Sequence, residues 1–365
     1  MTLRQVGVEE EMFLIDPRTR QLAPVSDDVV HSSREAEEGL DQELFLQQIE
    51  TASRPQSDLA ALKADLIEQR RRAAGSADAV GATVAAVATP VLADPHGIVT
   101  PKERYHTMLD RFGEIRRQGL VCATHVHVSV EQHEVIGIID DVRPWLPLLM
   151  AVSANSPYAE GVDTGYASWR GQLWDAWPSA GPVEPFGDLA GYRDAVRELV
   201  GSGAALDEAM VYFDARVARS YPTVEIRVAD VCTNLDDTVL VAELARALVE
   251  TLARERARGS VAEGWRVELL RAARWRARRH GLADSLLDPV TRAVVPAEKA
   301  LSTLLEHLRP VLDDHGTTSL VEDGIRRLLV DGTGADRQRA VAGRSPDLTA
   351  VVDDLVRRTQ ASFDD

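Results

Sequence analysis

Apolar and polar residues alternate along three well-separated stretches of the chain, at residues 7–15 (GVEEEMFLI), 120–130 (LVCATHVHVSV) and 223–230 (TVEIRVAD). Successive side chains of a strand point to opposite faces of a sheet, so each stretch is typical of a strand. Each also carries two ionisable side chains on one predicted face: Glu9 and Glu11, His125 and His127, and Glu225 and Arg227. The pattern therefore predicts three strands that present chemically active groups on one side.

Helical spacing of apolar residues dominates most of the remaining chain. Leu59, Leu62 and Leu66 fall on one helical face, and Ser57 is placed to cap that helix at its N-terminus. The same spacing predicts helices at residues 57–79, 101–118, 135–153, 236–258, 266–279, 297–313, 318–330 and 346–361. From Trp265 onward we expect the chain to be almost wholly helical.

The order of these elements indicates the fold class. Strands mixed with helices come first and helices alone follow, which is typical of an α+β fold with an antiparallel sheet covered by helices on one side. We expect a single domain over residues 1–365, strand-rich at 1–235 and helical at 236–365. Residues 155–181 fit neither period, and a long irregular loop inside a compact domain is usually functional.

Composition and charge exclude several classes of partner. The chain has 365 residues and a formal net charge of −17, which disfavours nucleic acid because phosphate binding needs a basic surface. The two cysteines, Cys122 and Cys232, lack the spacing of a zinc or disulfide framework. No apolar run is long enough to span a bilayer and the first residues show no signal-peptide pattern, so we expect a cytoplasmic protein with no membrane partner.

The carboxylates of the first predicted strand suggest a metal site. Glu9 and Glu11 on one face repel each other unless a positive charge lies between them. A divalent cation with oxygen ligands, Mg²⁺ or Mn²⁺, would supply that charge. The alternative is an edge strand whose acidic run faces water. His125 and His127 likewise fit either a ligand role or a hydrated sheet face.

Two further segments bear on this choice. The strand-like segment 44–52 carries Glu50 near its end, and a basic segment occupies residues 271–280. The basic segment fits either a solvated helix face or one wall of an anionic substrate site. The combined acidic set suits two or three hard cations that clamp a polyphosphate: Glu9, Glu11, Glu50, His125 and Glu225. Separate exposure of every strand to water would require several coincidences.

Motifs spread along the chain resemble those of the type 2 glutamate–cysteine ligases, the YbdK-like ATP-dependent carboxylate–amine ligases. They are GVEEE (7–11), THVHVS (124–129), NSP (155–157), DTGYASWR (163–170), YPTVEIRVAD (221–230), WRARRHG (275–281) and GTGADRQR (332–339). The resemblance covers nearly the whole chain. It implies a glutamine-synthetase-like fold, in which a cupped antiparallel β-sheet forms a funnel, covered by helices, that holds ATP and metal ions.

The resemblance also implies a reaction. ATP phosphorylates the γ-carboxylate of glutamate, the amine of cysteine attacks the acyl phosphate, and γ-glutamylcysteine, ADP and phosphate leave. Because a carboxylate that attacks a triphosphate meets anionic repulsion, catalysis is mainly charge neutralisation and positioning. The metal ligands would be Glu11, Glu50, His125 and Glu225, with Glu9 and Glu43 as further candidates.

Other residues receive roles from the same resemblance. Arg227 would neutralise the phosphoryl group or the tetrahedral intermediate, and Arg170, in the irregular loop, would bind a substrate carboxylate. His127 would face the same cavity, and Tyr166 and Trp169 would line the amine pocket.

The candidate ligand Glu43 fits the pattern less well than the others. It matches a family acidic position only loosely. It also lies seven positions before Glu50, which predicts that the two carboxylates occupy opposite faces of one strand.

Several functions stay open at this point. A ligase that joins a different acid to a different amine would use the same metal clamp. A kinase would use the same funnel and release a phosphorylated metabolite, and a non-catalytic regulator would bind ATP–Mg²⁺ without turnover. Family analogy predicts a homodimer that acts on small molecules, namely amino acids and ATP.

Overall fold

The computed structural model describes residues 3–35, 40–93, 97–260, 264–345 and 347–364. The strands are β1 (Val6–Ile15), β2 (Asp41–Gln42), β3 (Gln48–Ala52), β4 (Thr83–Ala85), β5 (Ala123–Ser129), β6 (Tyr158–Ala159), β7 (Val162–Asp163), β8 (Ala215–Val217), β9 (Thr223–Asp230), β10 (Ser285–Leu287) and β11 (Val294–Pro296).

The α-helices alternate with these strands and then dominate the C-terminal part. They are α1 (Ser26–Glu35), α2 (Leu59–Asp78), α3 (Glu103–Phe112), α4 (Val135–Val142), α5 (Leu146–Val152), α6 (Trp169–Trp174), α7 (Leu189–Ser202), α8 (Leu235–Ala257), α9 (Val267–His280), α10 (Ala297–His315), α11 (Thr318–Asp331), α12 (Gly334–Ala342) and α13 (Thr349–Asp364). Short 3₁₀ segments occupy Gly113–Gly119 and Glu208–Met210. No helix in the described ranges has both the length and the apolar character needed to cross a bilayer.

The main sheet has the order β2-β3-β1-β5-β9-β8, and β4 also pairs with β1. Every pair in it is antiparallel. Two small hairpins, β6–β7 and β10–β11, lie outside this sheet. The predicted α+β class with an antiparallel sheet is therefore confirmed.

The register of the sheet brings the predicted ionisable side chains onto one face. Glu11 lies opposite Glu50 across β1 and β3, and Glu9 lies opposite His125 across β1 and β5. His127 in turn lies opposite Glu225 across β5 and β9. Because directly opposed residues point to the same side of an antiparallel pair, this register forms a continuous polar row across four strands.

The other face of the sheet is covered by helices. Val8, Val126 and Ile226 are buried there in one core with side chains of α4, α5 and α8. Met12 and Leu14, further along β1, belong to a second core that also includes residues of α13. The apolar half of each alternating pattern thus fixes which face is left for chemistry.

Glu10 is the exception on the helix-covered face of β1. Its carboxylate pairs with the Arg70 guanidinium of α2 through two hydrogen bonds, of 2.7 Å to Nη2 and 2.9 Å to Nε, and both side chains are fully buried. The Thr238 hydroxyl also donates to Glu10 Oε1 at 2.9 Å. Arg70 donates further to the carbonyl oxygens of Cys232 and Thr233. This ion pair joins α2, β1 and the start of α8.

Several local predictions are wrong in detail. Helix α2 is capped by Asp58, whose carboxylate accepts from the amide of Ala61 at 2.8 Å, and not by Ser57. The chain beyond Trp265 is less uniformly helical than expected, because β10 and β11 form a hairpin there. Helices α1 and α12 were not predicted. Few apolar residues mark α1, whereas Thr333 and Asp336 form a capping box that starts α12.

Candidate active site

The polar face of the sheet lines a cavity of about 320 Å³. Strands β1, β3, β5, β8 and β9 contribute side chains to it, and α3 and α6 contribute others from outside the sheet. All six predicted metal ligands line this cavity: Glu9, Glu11, Glu43, Glu50, His125 and Glu225. Arg227 and His127 line it too.

His125 lies at the centre of the acidic set. Its ligand atoms, with those of Glu9 and Glu225, lie within 4.8 Å of one another, and a second such group joins His125 to Glu11 and Glu50. The two ring nitrogens face opposite ways, with Nδ1 3.2 Å from Glu9 Oε2 and Nε2 3.9 Å from Glu11 Oε1. The geometry therefore offers two adjacent groups of candidate ligands that meet at one imidazole, and a neutral ring can bind a cation in only one of them at a time.

Glu43 lies in the same cavity as Glu50, so the prediction of opposite faces is wrong. That prediction assumed one continuous strand, but β2 ends at Gln42 and the chain turns before β3 begins. Asp41 pairs with Glu50 across this hairpin. The Glu43 and Glu50 carboxyl groups consequently meet and share a hydrogen bond.

Negative charge is in excess where these carboxylates meet. Burial, and then the charge of Glu43, raises the pKa of Glu11 to about 8. Burial also raises the pKa of Glu50 well above its ordinary value, and the charges of Glu43 and Glu9 add to the effect. An amide of the neighbouring strand stabilises the carboxylate in part, since Ala123 N–H donates to Glu11 Oε2 at 2.7 Å. Divalent cations would remove the remaining repulsion.

Two other cavity groups, Glu9 and His125, have lowered pKa values. Burial disfavours the charged form of Glu9, but its hydrogen bonds to His125 and His127 outweigh burial and lower its pKa. Burial and the nearby charge of Arg227 lower the pKa of His125 to about 4. The imidazole is therefore neutral near pH 7, and a neutral ring nitrogen is the form that binds a metal.

Glu225 is held by two arginines. Arg216 of β8 binds it through a fork, with Nε 2.7 Å from Oε2 and Nη2 3.0 Å from Oε1, and Arg227 also contacts Oε1. Although burial opposes ionisation, the charges of Arg227 and Arg216 lower the pKa of Glu225 to about 2. Oε2 keeps one lone pair for a cation, because among the described residues Arg216 alone donates a hydrogen bond to it.

Magnesium is expected to stabilise the protein more at about pH 8.5 than at about pH 6. Glu11 and Glu50, which face Glu43, Arg170 and Arg227, have raised pKa values, so the folded state holds protons that the unfolded state releases. Their stabilising contribution is present below the ordinary carboxyl pKa and is lost as pH rises through the raised pKa values, of which that of Glu11 is about 8. A cation that replaces those protons restores it. Melting temperatures with MgCl₂ and with EDTA at both pH values would test this, and an equal magnesium shift at both would contradict it.

Three predicted substrate-binding residues do not reach the cavity in the part of the chain that the structure describes. Arg170 is 2% exposed at the start of α6. Its guanidinium lies 3.2 Å from the Arg227 carbonyl oxygen and 4.0 Å from Asp230, where no substrate carboxylate has access. Tyr166 lies beneath Arg279 of α9, and its ring packs against Trp169 at 5.2 Å.

The irregular appearance of residues 155–181 is also explained. The segment forms β6, β7 and α6, and Ser168 caps α6. The Ser156 and Ser168 hydroxyls donate to Asp230 at 2.7 and 2.8 Å. These bonds anchor the segment to the end of β9, so the expectation of a long irregular loop is wrong.

The basic segment 271–280 is a solvated helix face only in part, since Arg271 and Arg279 are exposed, and it does not line the cavity. Arg274 and Arg278 are buried on α9 and both pair with Asp175, just after α6. Arg274 Nε also lies 2.9 Å from Asp214 Oδ2. The inner arginines of α9 therefore form a buried ion-pair cluster that fixes α6, behind the cavity and not along its wall.

Further cavity residues were missed from the sequence. They are Gln48, Arg104, Tyr105, Trp174, Trp177, Tyr212, Arg216, Arg219 and Tyr221. Arg216 had a usable signal, since it follows Asp214 in a strand-like alternation. Gln48 had one as well, because it precedes Glu50 by two and so shares its strand face. The aromatic residues had none, since such side chains are far more often core.

Comparison with known proteins identifies the family. A family model described as glutamate–cysteine ligase family 2 matches residues 5–354. "Putative glutamate--cysteine ligase 2-1" of Nocardioides sp. is 44% identical over 374 residues, which cover 100% of this chain and 98% of that protein. "Putative glutamate--cysteine ligase 2" of Streptomyces coelicolor is 43% identical and covers 99% of this chain and 100% of its own.

Solved structures share the fold at low sequence identity. A glutamate–cysteine ligase (gshA) of Francisella tularensis in complex with AMP has a TM-score of 0.69 at 12% identity, covering 100% of this chain and 89% of that chain. A bifunctional glutathione synthetase of Pasteurella multocida has a TM-score of 0.71 at 14% identity, covering 99% of this chain and 53% of that chain. Since the family model spans nearly the whole sequence and its relatives match along their full length, the chain belongs to glutamate–cysteine ligase family 2, a family of carboxylate–amine ligases.

Proposed function

We propose that this protein is an ATP- and Mg²⁺-dependent ligase that joins the γ-carboxylate of glutamate to the amine of cysteine through an acyl phosphate. The products are γ-glutamylcysteine, ADP and phosphate, and we propose that the enzyme acts in the cytoplasm as a homodimer. The observation that carries the proposal is the convergence of five carboxylates, the imidazole of His125 and the guanidinium of Arg227 in one cavity. Four separate strands supply most of these groups, so coincidence is a poor explanation.

The donor chemistry of the cavity fits magnesium. Carboxylate oxygens are the ligands that hard divalent cations prefer, and Mn²⁺ accepts the same set with an imidazole nitrogen. Two ligand groups meet at His125, one with Glu9 and Glu225 and one with Glu11 and Glu50. When bound there, Mg²⁺ would supply positive charge to the phosphate oxygens of a nucleotide. The AMP found in the related Francisella tularensis ligase supports a nucleotide as the second occupant.

The chain's own cations suit the phosphoryl-transfer step. A glutamate carboxylate approaching a triphosphate needs positive charge at the oxygens between them. The Arg227 side chain is only 10% exposed on the cavity side of β9, and its Nε has no hydrogen-bond partner in the described chain. Arg216 donates to the carbonyl oxygens of Ala209 and Val211 as well as to Glu225, which fixes its position. We assign Arg227 to charge neutralisation and Arg216 to holding Glu225 in place.

The second step needs a nucleophile and a leaving group. The amine nitrogen forms a bond to the γ-carbon, the bond from that carbon to the phosphate oxygen breaks, and phosphate leaves with the electron pair. The amine loses one proton in forming the amide. The leaving phosphate remains beside Arg227 and the cation sites, which stabilise its charge as it develops.

The proposal is tested by a matrix of acids and amines with the full-length protein, ATP and MgCl₂. We expect ADP release with glutamate plus cysteine, loss of that release with EDTA, and a product with the mass of γ-glutamylcysteine. Turnover confined to another acid–amine pair would show that the proposed substrates are wrong but that the proposed ligase activity is right. A phosphorylated product without amide would indicate a kinase, and ATP–Mg²⁺ binding by calorimetry with no turnover would indicate a non-catalytic regulator.

A further inference from the structure

One end of the cavity differs in chemistry from the metal-facing end. We call it the aromatic end and define it by six uncharged side chains: Leu44, Gln48, Met108, Trp174, Trp177 and Tyr212. The Tyr212 ring lies 4.7 Å from Trp174 and 5.8 Å from Trp177, and the two indoles lie 6.2 Å apart. These packed rings form a rigid apolar wall beside the acidic groups.

Two polar atoms in this wall have no partner in the part of the chain that the structure describes. Gln48 is 2% exposed, and its Nε2 donates to the Val121 carbonyl oxygen at 2.6 Å. That bond settles the orientation of the amide and leaves Oε1 unpaired. Trp177 is likewise 2% exposed, with Nε1 unpaired. Since a buried unpaired acceptor or donor costs free energy, such a pair beside a cavity points to a ligand that satisfies both.

The two side chains adjoin the same short segment, residues 119–121. A Cβ built on Gly119 would lie 3.4 Å from Trp177 Cζ2 and 2.9 Å from Leu44 Cδ2, and Val121 holds Gln48. Gln48 also precedes Glu50 by two residues on the same strand face. A small molecule bound between Gln48 and Trp177 would therefore have the cation sites at its other side.

We propose that the aromatic end binds the amine substrate, with Gln48 Oε1 accepting a hydrogen bond from its nitrogen and Trp177 Nε1 donating to a second polar atom. This inference rests on the proposed ligase function. The acid substrate and the phosphates of the nucleotide need the cations and Arg227 at the other end, and the two unpaired polar atoms at the aromatic end suit the small polar nucleophile. The side chains that define this end carry no charge, and the nearby Arg104 is already paired with Asp207 at 3.0 Å. The subsite therefore selects amines whose side chain is small and uncharged.

Steady-state kinetics of Trp177→Phe provide the test. Phenylalanine keeps an aromatic ring against Phe112, whose centroid lies 5.5 Å from that of Trp177, and removes only the N–H and part of the ring area. With L-cysteine and L-2-aminobutyrate as probes, we expect KM for the amine to rise about tenfold, which corresponds to about 1.4 kcal/mol. KM for glutamate and for ATP should stay within about twofold. L-aspartate and L-lysine should react at least about tenfold less efficiently than cysteine with the wild-type protein.

Two further variants keep the test decisive. Gly119→Ala adds a methyl group between Leu44 and Trp177, so it should raise KM for both amines even if Trp177→Phe folds poorly. Trp265→Phe is the matched control, because Trp265 packs with Leu270 in a separate cluster outside the cavity, and its kinetics should match the wild type.

Three results would overturn the proposal. They are a rise in KM for glutamate or for ATP in place of the amine, an unchanged amine KM in both cavity variants, and an equal preference for charged amines. Failure of the underlying function looks different, since the wild-type protein would then release no ADP with any acid–amine pair. That result would remove the ligase and this subsite together.

Discussion

Replacing Glu11 by glutamine is expected to reduce Mg²⁺-dependent ADP release by about 10³-fold or more, because a metal ion supplies several kcal/mol of charge stabilisation in such reactions. Glu11 is one of the carboxylates that meet His125 in the second ligand group. An amide in its place keeps the shape but is a poor ligand for a hard cation. The measurement is ADP release against MgCl₂ concentration, with glutamate and cysteine present.

The same substitution should leave the fold intact, which makes the result specific. The pKa of Glu11 is raised to about 8, so at neutral pH without metal the folded protein already favours the uncharged carboxyl form that glutamine imitates. The amide oxygen can still accept from Ala123 N–H. Melting temperatures should match the wild type in EDTA, and MgCl₂ should raise only that of the wild type. Glu68→Gln, an exposed change on α2, is the control for loss of one charge. Full activity in Glu11→Gln would remove the metal assignment.

The alternation of side chains explains why the sequence predicted so much of this site. Glu9, Glu11, His125 and Glu225 lie on strands whose buried face is fixed by apolar residues, and a one-residue slip would turn those residues toward water. Once the strands pair in the register that buries Val8 and Val126, the ionisable set must share the other face. The local alternation of residues and the long-range pairing of strands therefore place these side chains on the same sheet face.

Residues whose positions do not follow from strand alternation were placed wrongly or missed. Glu43 reaches the cavity because a hairpin turn separates β2 from β3, and turn geometry is not encoded in a count of seven residues. Arg170 was expected to bind a substrate carboxylate because the family resemblance implied that role. The packing of α6 on β9 instead buries it. Its position depends on tertiary contacts that no local pattern records.

The aromatic end could not be predicted from the sequence for a different reason. Trp174, Trp177 and Tyr212 come from two distant segments and meet only through the packing of α6 against the chain before β8. Residue type favours core packing for each of them, and their rings do pack together. What marks Trp177 as more than core is the unpaired Nε1 beside the cavity, an observation available only from coordinates.

Replacing Arg70 by alanine is expected to destabilise the protein by about 3–5 kcal/mol, because it leaves the buried carboxylate of Glu10 without its partner. The change also removes donors to the carbonyl oxygens of Cys232 and Thr233, just before α8. Among the described residues, the Thr238 hydroxyl would remain as a donor to the Glu10 carboxylate. Urea unfolding followed by circular dichroism measures the loss as a lower midpoint.

The adjacent Arg71 provides a matched control, because its side chain is half exposed, pairs at the surface with Glu68 and donates one hydrogen bond to the Phe363 carbonyl oxygen, with no buried charge as partner. Arg71→Ala should cost no more than about 1 kcal/mol, as is usual for exposed pairs. Glu10→Gln should lower the urea midpoint yet keep Mg²⁺-dependent ADP release in the folded fraction, the reverse of Glu11→Gln. Equal losses in Arg70→Ala and Arg71→Ala would contradict a buried ion pair. Glu10 and Glu11 are adjacent on β1 but lie on opposite faces of the sheet. We therefore expect the Glu10 substitution to affect stability and the Glu11 substitution to affect catalysis.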